Sequence, residues 1–362
     1  MNRTEAEAPP APIGTNARGA RIGLVALIVL GVAGAFAGAA GWLSPRALTP
    51  ARLIDAFERA NGQHPGFRRN HAKGVDATGY FESNGRGVAL SRAAVFRAER
   101  VPVIARFALP GGLPSVADTA GSVRSLALEL DLPNGEQWRT GMNDIPVFPV
   151  STPEAFYEQL VASTPDPATG KPDPAKLSAF LARNPSSARA AQLLRARPKT
   201  SGFDRSSYNS LNAFRFTNEA GATKFVRWSL VPTSPASDAA PTSGDANYLF
   251  EDLAARVRRA PLTWSLVVTV ANEGDVTNDA TIAWPSDRQQ IDVGTLTIDH
   301  IESEDTGAAR EINFDPLVLP DGIAASDDPL LSARSAAYSE SFRRRSREPK
   351  PPSAVTSAEV TR

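Results

Sequence analysis

Two short segments hold most of this chain's capacity for chemistry. Residues 68–74 read Arg-Arg-Asn-His-Ala-Lys-Gly and residues 334–338 read Arg-Ser-Ala-Ala-Tyr. The chain has only three histidines (His64, His71, His300) and five tyrosines, so few side chains can shuttle a proton or offer a phenolate. An imidazole with a pKa of about 6.5 can take up and return a proton at neutral pH, which His71 would do if it faced a reacting oxygen. A solvated loop histidine beside Lys73 and Gly74 is the plainer alternative. A free phenol, with a pKa of about 10, needs help to ionise. Arg334 stands four residues before Tyr338, one helical turn away on the same face, where its guanidinium can hydrogen-bond the phenolate and hold it charged. The alternative is a half-buried tyrosine on an amphipathic terminal helix. Asn143, in Gly-Met-Asn-Asp, is either a turn residue or an amide that stabilises charge separating on a bound substrate.

Composition narrows the field. There is no cysteine among the 362 residues, which excludes thiolate metal sites, iron–sulfur clusters, disulfides and cysteine nucleophiles. Basic and acidic residues balance at 39 each, so the chain lacks the basic excess of a nucleic-acid surface. The 42% hydrophobic content can build a sizeable core, and 30 prolines with 26 glycines imply many turns and irregular loops.

Residues 22–43 are uncharged and rich in Ala, Leu, Val and Gly. As a helix they would extend roughly 33 Å, enough for a bilayer core. Arg18 and Arg21 precede the stretch, which favours a cytoplasmic N-terminus and an exported remainder. The segment reads as an uncleaved transmembrane signal anchor. Its alternative is a cleaved signal peptide, with Ala35-Phe36-Ala37 or Ala37-Gly38-Ala39 as the cleavage site. Residues 1–21 read as a disordered cytoplasmic tail, and 348–362, with Pro349, Pro351 and Pro352, as a second disordered tail.

The elements that must position these side chains follow from periodicity. Residues 49–61 read as a helix with Leu53, Ile54 and Phe57 on one face. Strands are expected over 101–109, 123–132, 145–150, 224–231, 262–271 and 291–298, with helices over 153–163, 173–183, 186–195 and 245–259. Without a βαβ rhythm, the strands suggest an antiparallel sheet or barrel interrupted by helices, an α+β domain over 48–347.

With these segments in order, the chain resembles the catalase superfamily, and most closely its short, membrane-anchored catalase-related peroxidases. The resemblance runs from about Arg68 to Arg345. It rests on the 68–74 segment with Gly79-Tyr80-Phe81, on Ala105-Arg106-Phe107, on Asp118-Thr119, and on Trp138 before Gly141-Met142-Asn143 and Pro146-Val147-Phe148. Later come Ala283-Trp284-Pro285, Val293-Gly294, Phe314-Asp315-Pro316, Gly322-Ile323 and the pair Arg334 and Tyr338.

The resemblance implies a catalase-like antiparallel β-barrel with helical insertions and a C-terminal ligand-bearing helix, holding a b-type haem. It makes His71 the distal acid–base group, Asn143 its catalytic partner and Tyr338 the axial iron ligand, assisted by Arg334. Arg68, Arg106 and Arg345 then match the arginines near the haem propionates, and Phe156 an aromatic stacked on the haem. The implied activity is a haem peroxidase reducing organic peroxides and hydrogen peroxide through an oxyferryl intermediate, with weak or no catalase activity. Its electron donor is unknown, the inner membrane is its implied neighbour, its domain is periplasmic, and self-association is open.

The sequence also departs from the pattern. The usual small hydroxyl two residues after the strand arginine is Ala108, so a hydrogen bond to His71 is expected to be missing. One extra residue lies between Asn143 and Pro146, and Ser339 to Arg345 replace a histidine-rich stretch. The long C-terminal wrapping region and flavodoxin-like domain of large catalases are expected to be absent. These departures favour a peroxidase with a more open pocket. A haem carrier or redox sensor with little turnover is the rival reading, supported by Ala108. Isomerisation or dehydration of a lipid hydroperoxide is a third.

Overall fold

The computed structural model describes residues 15–39, 47–97, 100–119, 121–233 and 246–361, which fall into two units divided after Thr49. In the first unit, α1 (Thr15–Ala39) is a helix whose apolar side chains from Ile22 to Val32 are 57–72% exposed where they are described. Of the span expected over 22–43, α1 covers 22–39. The helix starts earlier, taking in polar residues 15–21 that were expected to be a loose tail. Residues 40–43 lie outside the described part, as do 1–14. Among the described residues no helix is long and apolar enough to cross a membrane.

In the second unit, side-chain alternation is clearest in the strands Gln137–Asn143, Thr223–Pro232 and Leu262–Val270. β8 (Leu262–Val270) buries every second residue, Leu262, Trp264, Leu266, Val268 and Val270, as a strand with one face on a core must. The other strands are β1 (Gly74–Ser83), β2 (Val101–Ala108), β3 (Ser125–Asp131), β4 (Gln137–Asn143), β5 (Tyr208–Asn209), β6 (Phe214–Thr217), β7 (Thr223–Pro232), β9 (Gln290–Glu302) and β10 (Ile323–Ala325). All pair antiparallel in the order β10-β6-β7-β5-β4-β3-β2-β1-β9-β8, and β8 pairs back onto β7. Eight strands thereby close into a barrel, with β6 and β10 appended to β7. A barrel of eight strands is just wide enough for side chains to fill. Val103, Ala105, Phe107, Leu126, Leu128, Trp138, Trp228, Trp264 and Leu296 do so.

Helices cover the outside: α2 (Pro50–Asn61), α3 (Pro153–Ala162), α4 (Pro174–Arg183), α5 (Pro185–Ala196), α6 (Tyr248–Arg259), α7 (Pro329–Arg345) and α8 (Ser357–Thr361). Thr152, Asp173 and Asp328 cap α3, α4 and α7 through their side-chain oxygens, each ahead of a proline in the first turn. α2, α3 and α7 pack on one another beside the outer face of β2–β4.

Two expectations fail in this unit. Residues 145–150 form no strand, because Pro146 and Pro149 have no N–H for a ladder. The C-terminal segment expected to be disordered is folded onto the barrel. Val355 and Val360 are buried in its core, Ser303 Oγ donates to Val355 O at 2.8 Å, and Arg310 Nη2 donates to Pro351 O at 2.6 Å. Pro349, Pro351 and Pro352 keep the first part of the segment out of a helix, and α8 forms beyond them; the carbonyls of Pro351 and Val355 accept these bonds, and two valines supply the apolar anchor.

Candidate active site

Alternation along β2–β4 sorts their residues. Val103, Ala105, Phe107, Leu126, Leu128, Trp138 and Met142 point into the barrel. Arg106, Ala108, Ser125, Ala127, Gly141 and Asn143 therefore belong to the outer face, and all six line a cavity of about 1150 Å³, part of it open to solvent. The helices close it with Leu53, Ile54 and Phe57 from α2, Phe156 from α3, and Leu330, Arg334, Tyr338 and Arg345 from α7. The loop before β1 adds Arg68, Asn70 and His71. The structure thus brings all eight sequence-expected residues to one cavity: His71, Asn143, Arg68, Arg106, Phe156, Arg334, Arg345 and Tyr338. His300 is exposed on β9, and His64 Nε2 lies 3.0 Å from Asn61 O; neither lines the cavity.

His71 sits in the left-handed backbone region, φ 57°, which costs energy for a residue with a Cβ. Asn70 holds it there, its Oδ1 accepting from His71 N at 3.1 Å and from Gly111 N at 2.8 Å. Burial, and then the positive charges of Arg106, Arg334 and Arg68, push the His71 pKa down to about 3, with the Leu109 carbonyl opposing. The ring is thus a neutral base at any physiological pH.

The hydrogen bond expected to be missing at Ala108 is made from another strand. Ser125 Oγ lies 3.1 Å from His71 Nδ1 and also donates to Asn143 Oδ1. Nothing in the sequence marked Ser125 beyond its being a polar residue at the start of an apolar strand.

Across the cavity, Tyr338 projects from α7. Gly141 lies opposite it, where an added Cβ would stand 3.3 Å from the phenol oxygen and 3.6 Å from Arg334 Nη2. Arg334 does not bond the phenol as expected. Its Nη1 donates to Asn212 Oδ1 and its Nη2 to Gly141 O at 3.1 Å. Asn212 in turn donates to Asp328, the α7 cap, at 2.8 Å. The cap and the arginine are therefore set by one chain of bonds, with the charge of Arg334 left near the phenol rather than on it.

Arg68, Arg106 and Arg345 converge on Glu304, which the sequence reading did not single out. Arg106 donates to both Glu304 oxygens at 2.8 Å and Arg68 to one at 3.0 Å. Arg345 donates to the carbonyls of Arg310 and Ile312, and Arg68 to those of Ala309 and Ile312. The nearby Asp76 is 1% exposed, and one of its oxygens has no partner among the described residues. Burial and the charge of Glu304 push its pKa up to about 7. Burial would raise Glu304 as well, but the three arginines outweigh it and hold it below the usual carboxylate range. Arg68 falls well below its ordinary value, and Arg345 to about 10, through burial and repulsion from Arg106. Two buried guanidinium groups, Arg106 and Arg345, and the half-buried one of Arg68 thus face one ionised carboxylate and one half-neutral one. The cluster carries surplus positive charge, as a site for an anionic ligand does.

The residues match the catalase family over 37–349, and the chain belongs to the catalase family. It is 41% identical to a catalase-related peroxidase of Synechococcus elongatus over 83% of this chain and 89% of that one. To a catalase-related peroxidase of Mycolicibacterium paratuberculosis it is 35% identical, over 82% and 95%. Catalase A of Saccharomyces cerevisiae superposes with a TM-score of 0.71 at 22% identity, over 83% of this chain and 65% of that one. A fungal catalase gives 0.70 at 21% identity, over 81% and 62%. The chain thus spans less than two thirds of these solved catalases.

Proteins of the catalase family generally bind haem. The cavity fits such a group on three observations of its own: the surplus cationic charge in its wall, the bare Gly141 facing a phenol, and a lining rich in apolar side chains.

Proposed function

We propose that this chain is a haem-dependent peroxidase that binds a b-type haem in the cavity and reduces organic peroxides and hydrogen peroxide, with weak or no catalase activity. One observation carries the reading: His71 joined through Ser125 to Asn143, in one cavity with Tyr338. When bound, the haem supplies the iron at which the peroxide O–O bond is cleaved. Tyr338 would be the chain's oxygen ligand for that iron. Arg68, Arg106 and Arg345 would hold the propionates, and Phe156 would line the space for the ring system. His71 accepts the proton of the arriving hydroperoxide and returns it to the leaving oxygen. Asn143 donates a hydrogen bond to the peroxide oxygens as charge develops. Leu53, Ile54, Phe57 and Leu330 exclude water and suit the carbon chain of an organic peroxide.

The carrier or sensor reading rested on the hydroxyl missing at Ala108. Ser125 provides that hydroxyl, so no observation now favours it. We further propose that the domain works on the exported side of a bacterial-type inner membrane, with an electron donor met there. The exposed apolar stretch of α1 behind Arg18 and Arg21 supports export, whether or not it is cleaved.

The test is the absorption spectrum of the purified chain before and after a small organic hydroperoxide. A ferric haem spectrum that changes with peroxide and returns with an artificial donor is expected. A haem spectrum indifferent to peroxide would restore the carrier reading.

A further inference from the structure

Ala108, Ser125 and Asn143 form one row across three strands: Ala108 pairs with Ser125 in the β2–β3 ladder, and Ser125 with Asn143 in the β3–β4 ladder. Directly opposed residues of antiparallel strands put their side chains on one face, about 4.5–5.5 Å apart at Cβ. Here that face is the cavity wall. Ser125 stands in the middle of the row, and its Oγ touches both His71 Nδ1 and Asn143 Oδ1.

A serine hydroxyl has one proton to give and lone pairs to accept with. An amide oxygen can only accept, so the Ser125 proton goes to Asn143 Oδ1. Oγ then has only lone pairs for His71, and the proton in that bond must sit on Nδ1. The consequence runs to both partners. With Nδ1 protonated in a neutral ring, Nε2 carries the lone pair. With Oδ1 of Asn143 engaged, its Nδ2 protons are the part of the amide left to donate.

We propose that Ser125 is a positioning residue that sets the polarity of both groups. It holds His71 as the Nδ1–H tautomer with Nε2 as the base, and Asn143 with its amide protons as the donors. One hydroxyl makes one group an acceptor and the other a donor, which is what proton removal and oxygen stabilisation on a single peroxide require. Because positions 108 and 125 face each other, a hydroxyl at 108 serves the same space, and the Ala108 and Ser125 pair is an exchange of one oxygen across two strands. The roles given to Nε2 and Nδ2 rest on the peroxidase reading, whereas the tautomer does not.

The test uses the full chain with ¹⁵N-labelled histidine, whose three rings give a simple spectrum. Ring nitrogen shifts are read in the haem-free protein and in protein loaded with zinc protoporphyrin, which is diamagnetic. The rate of cumene hydroperoxide consumption is measured with haem. The wild type should show a protonated Nδ1 and a bare Nε2 for His71. Ser125→Ala should mix the tautomers and lower the rate by about 10- to 100-fold, part of the span general acid–base catalysis supplies. Ser125→Thr should keep both properties, and the double variant Ala108→Ser with Ser125→Ala should bring both back to within a few-fold. A wild-type His71 protonated on Nε2 would overturn the proposal, because the Asn143 amide would then be reversed and Ser125 would donate to the ring. So would an unchanged tautomer in Ser125→Ala. The expected tautomers in a protein that consumes no hydroperoxide would leave the positioning role standing and sink the peroxidase reading instead.

Discussion

Glu304 takes both arms of the Arg106 guanidinium, Nε on Oε1 and Nη2 on Oε2, each at 2.8 Å, although 198 residues separate the two in the chain. Bidentate pairing of this kind is strong and directional. It also leaves Arg68 and Arg345 short of negative charge, since Glu304 is shared among all three. Removing the carboxylate should strand two buried cations and a half-buried third. Glu304→Gln is expected to cost the haem-free chain about 3–5 kcal/mol in urea unfolding. With haem bound the loss should be smaller, because propionates would share the arginines. Equal losses in the two forms would mean the cluster holds no carboxylates of the cofactor.

His71 is the only histidine lining the cavity. His71→Ala should slow peroxide consumption by about 10²–10⁴-fold while haem still binds. Stopped-flow measurement beside a haem titration separates the two effects. A rate within a few-fold of wild type would place the base elsewhere.

The Tyr338 phenol, on α7, faces Gly141 and is the oxygen ligand proposed above. Tyr338→Phe should weaken haem binding and abolish the phenolate-to-iron absorption band, while the far-ultraviolet circular dichroism of the fold stays the same. Retention of the band in the variant would mean another residue ligates.

Asp76 carries a pH dependence with a definite sign. Its folded pKa is raised to about 7 by burial and then by Glu304, against about 3.9 unfolded. The folded chain therefore holds a proton the unfolded chain has released. That contribution is fully present below about pH 4 and is lost as pH rises through 7. The stability of wild type relative to Asp76→Asn should fall between pH 4 and pH 8, by about 4 kcal/mol at most at 1.36 kcal/mol per unit. His71 works oppositely, since its pKa of about 3 makes the folded chain refuse a proton that the unfolded chain accepts below 6.5. Comparing two chains that both keep His71 cancels its part. A pH-independent difference would show that Asp76 stays ionised.

Val355 is fully buried and anchors the C-terminal segment. Val355→Ala should cost about 2 kcal/mol, as removing core methyl groups does. No change in the urea midpoint would mean that the segment is loose in solution.

Much of the site was legible in the sequence because residue type restricts chemistry. With three histidines, five tyrosines and no cysteine, the proton shuttle and the oxygen ligand had few possible bearers. Alternation likewise showed β8 and most of β7 and β9, because side-chain period is a local property of a strand. It failed at β1, where Asp76 and Gly79 interrupt the apolar pattern, and at 145–150, where apolar residues between prolines imitate a strand.

The sequence by itself determined which residues could react, and the spacing that puts Arg334 and Tyr338 one turn apart on a helix. Only the tertiary structure decided who meets whom. Register across β2, β3 and β4 moved the histidine's hydroxyl from position 108 to 125. The α7 cap drew Arg334 to Asn212 instead of to the phenol. Pairing of β2 and β9 on either side of β1 brought Glu304 to Arg106, and packing on the barrel turned a proline-rich tail into part of the core. These are pairings between distant segments, whose energy exists only once the strands have closed and water has been excluded, so no local pattern of residues carries them.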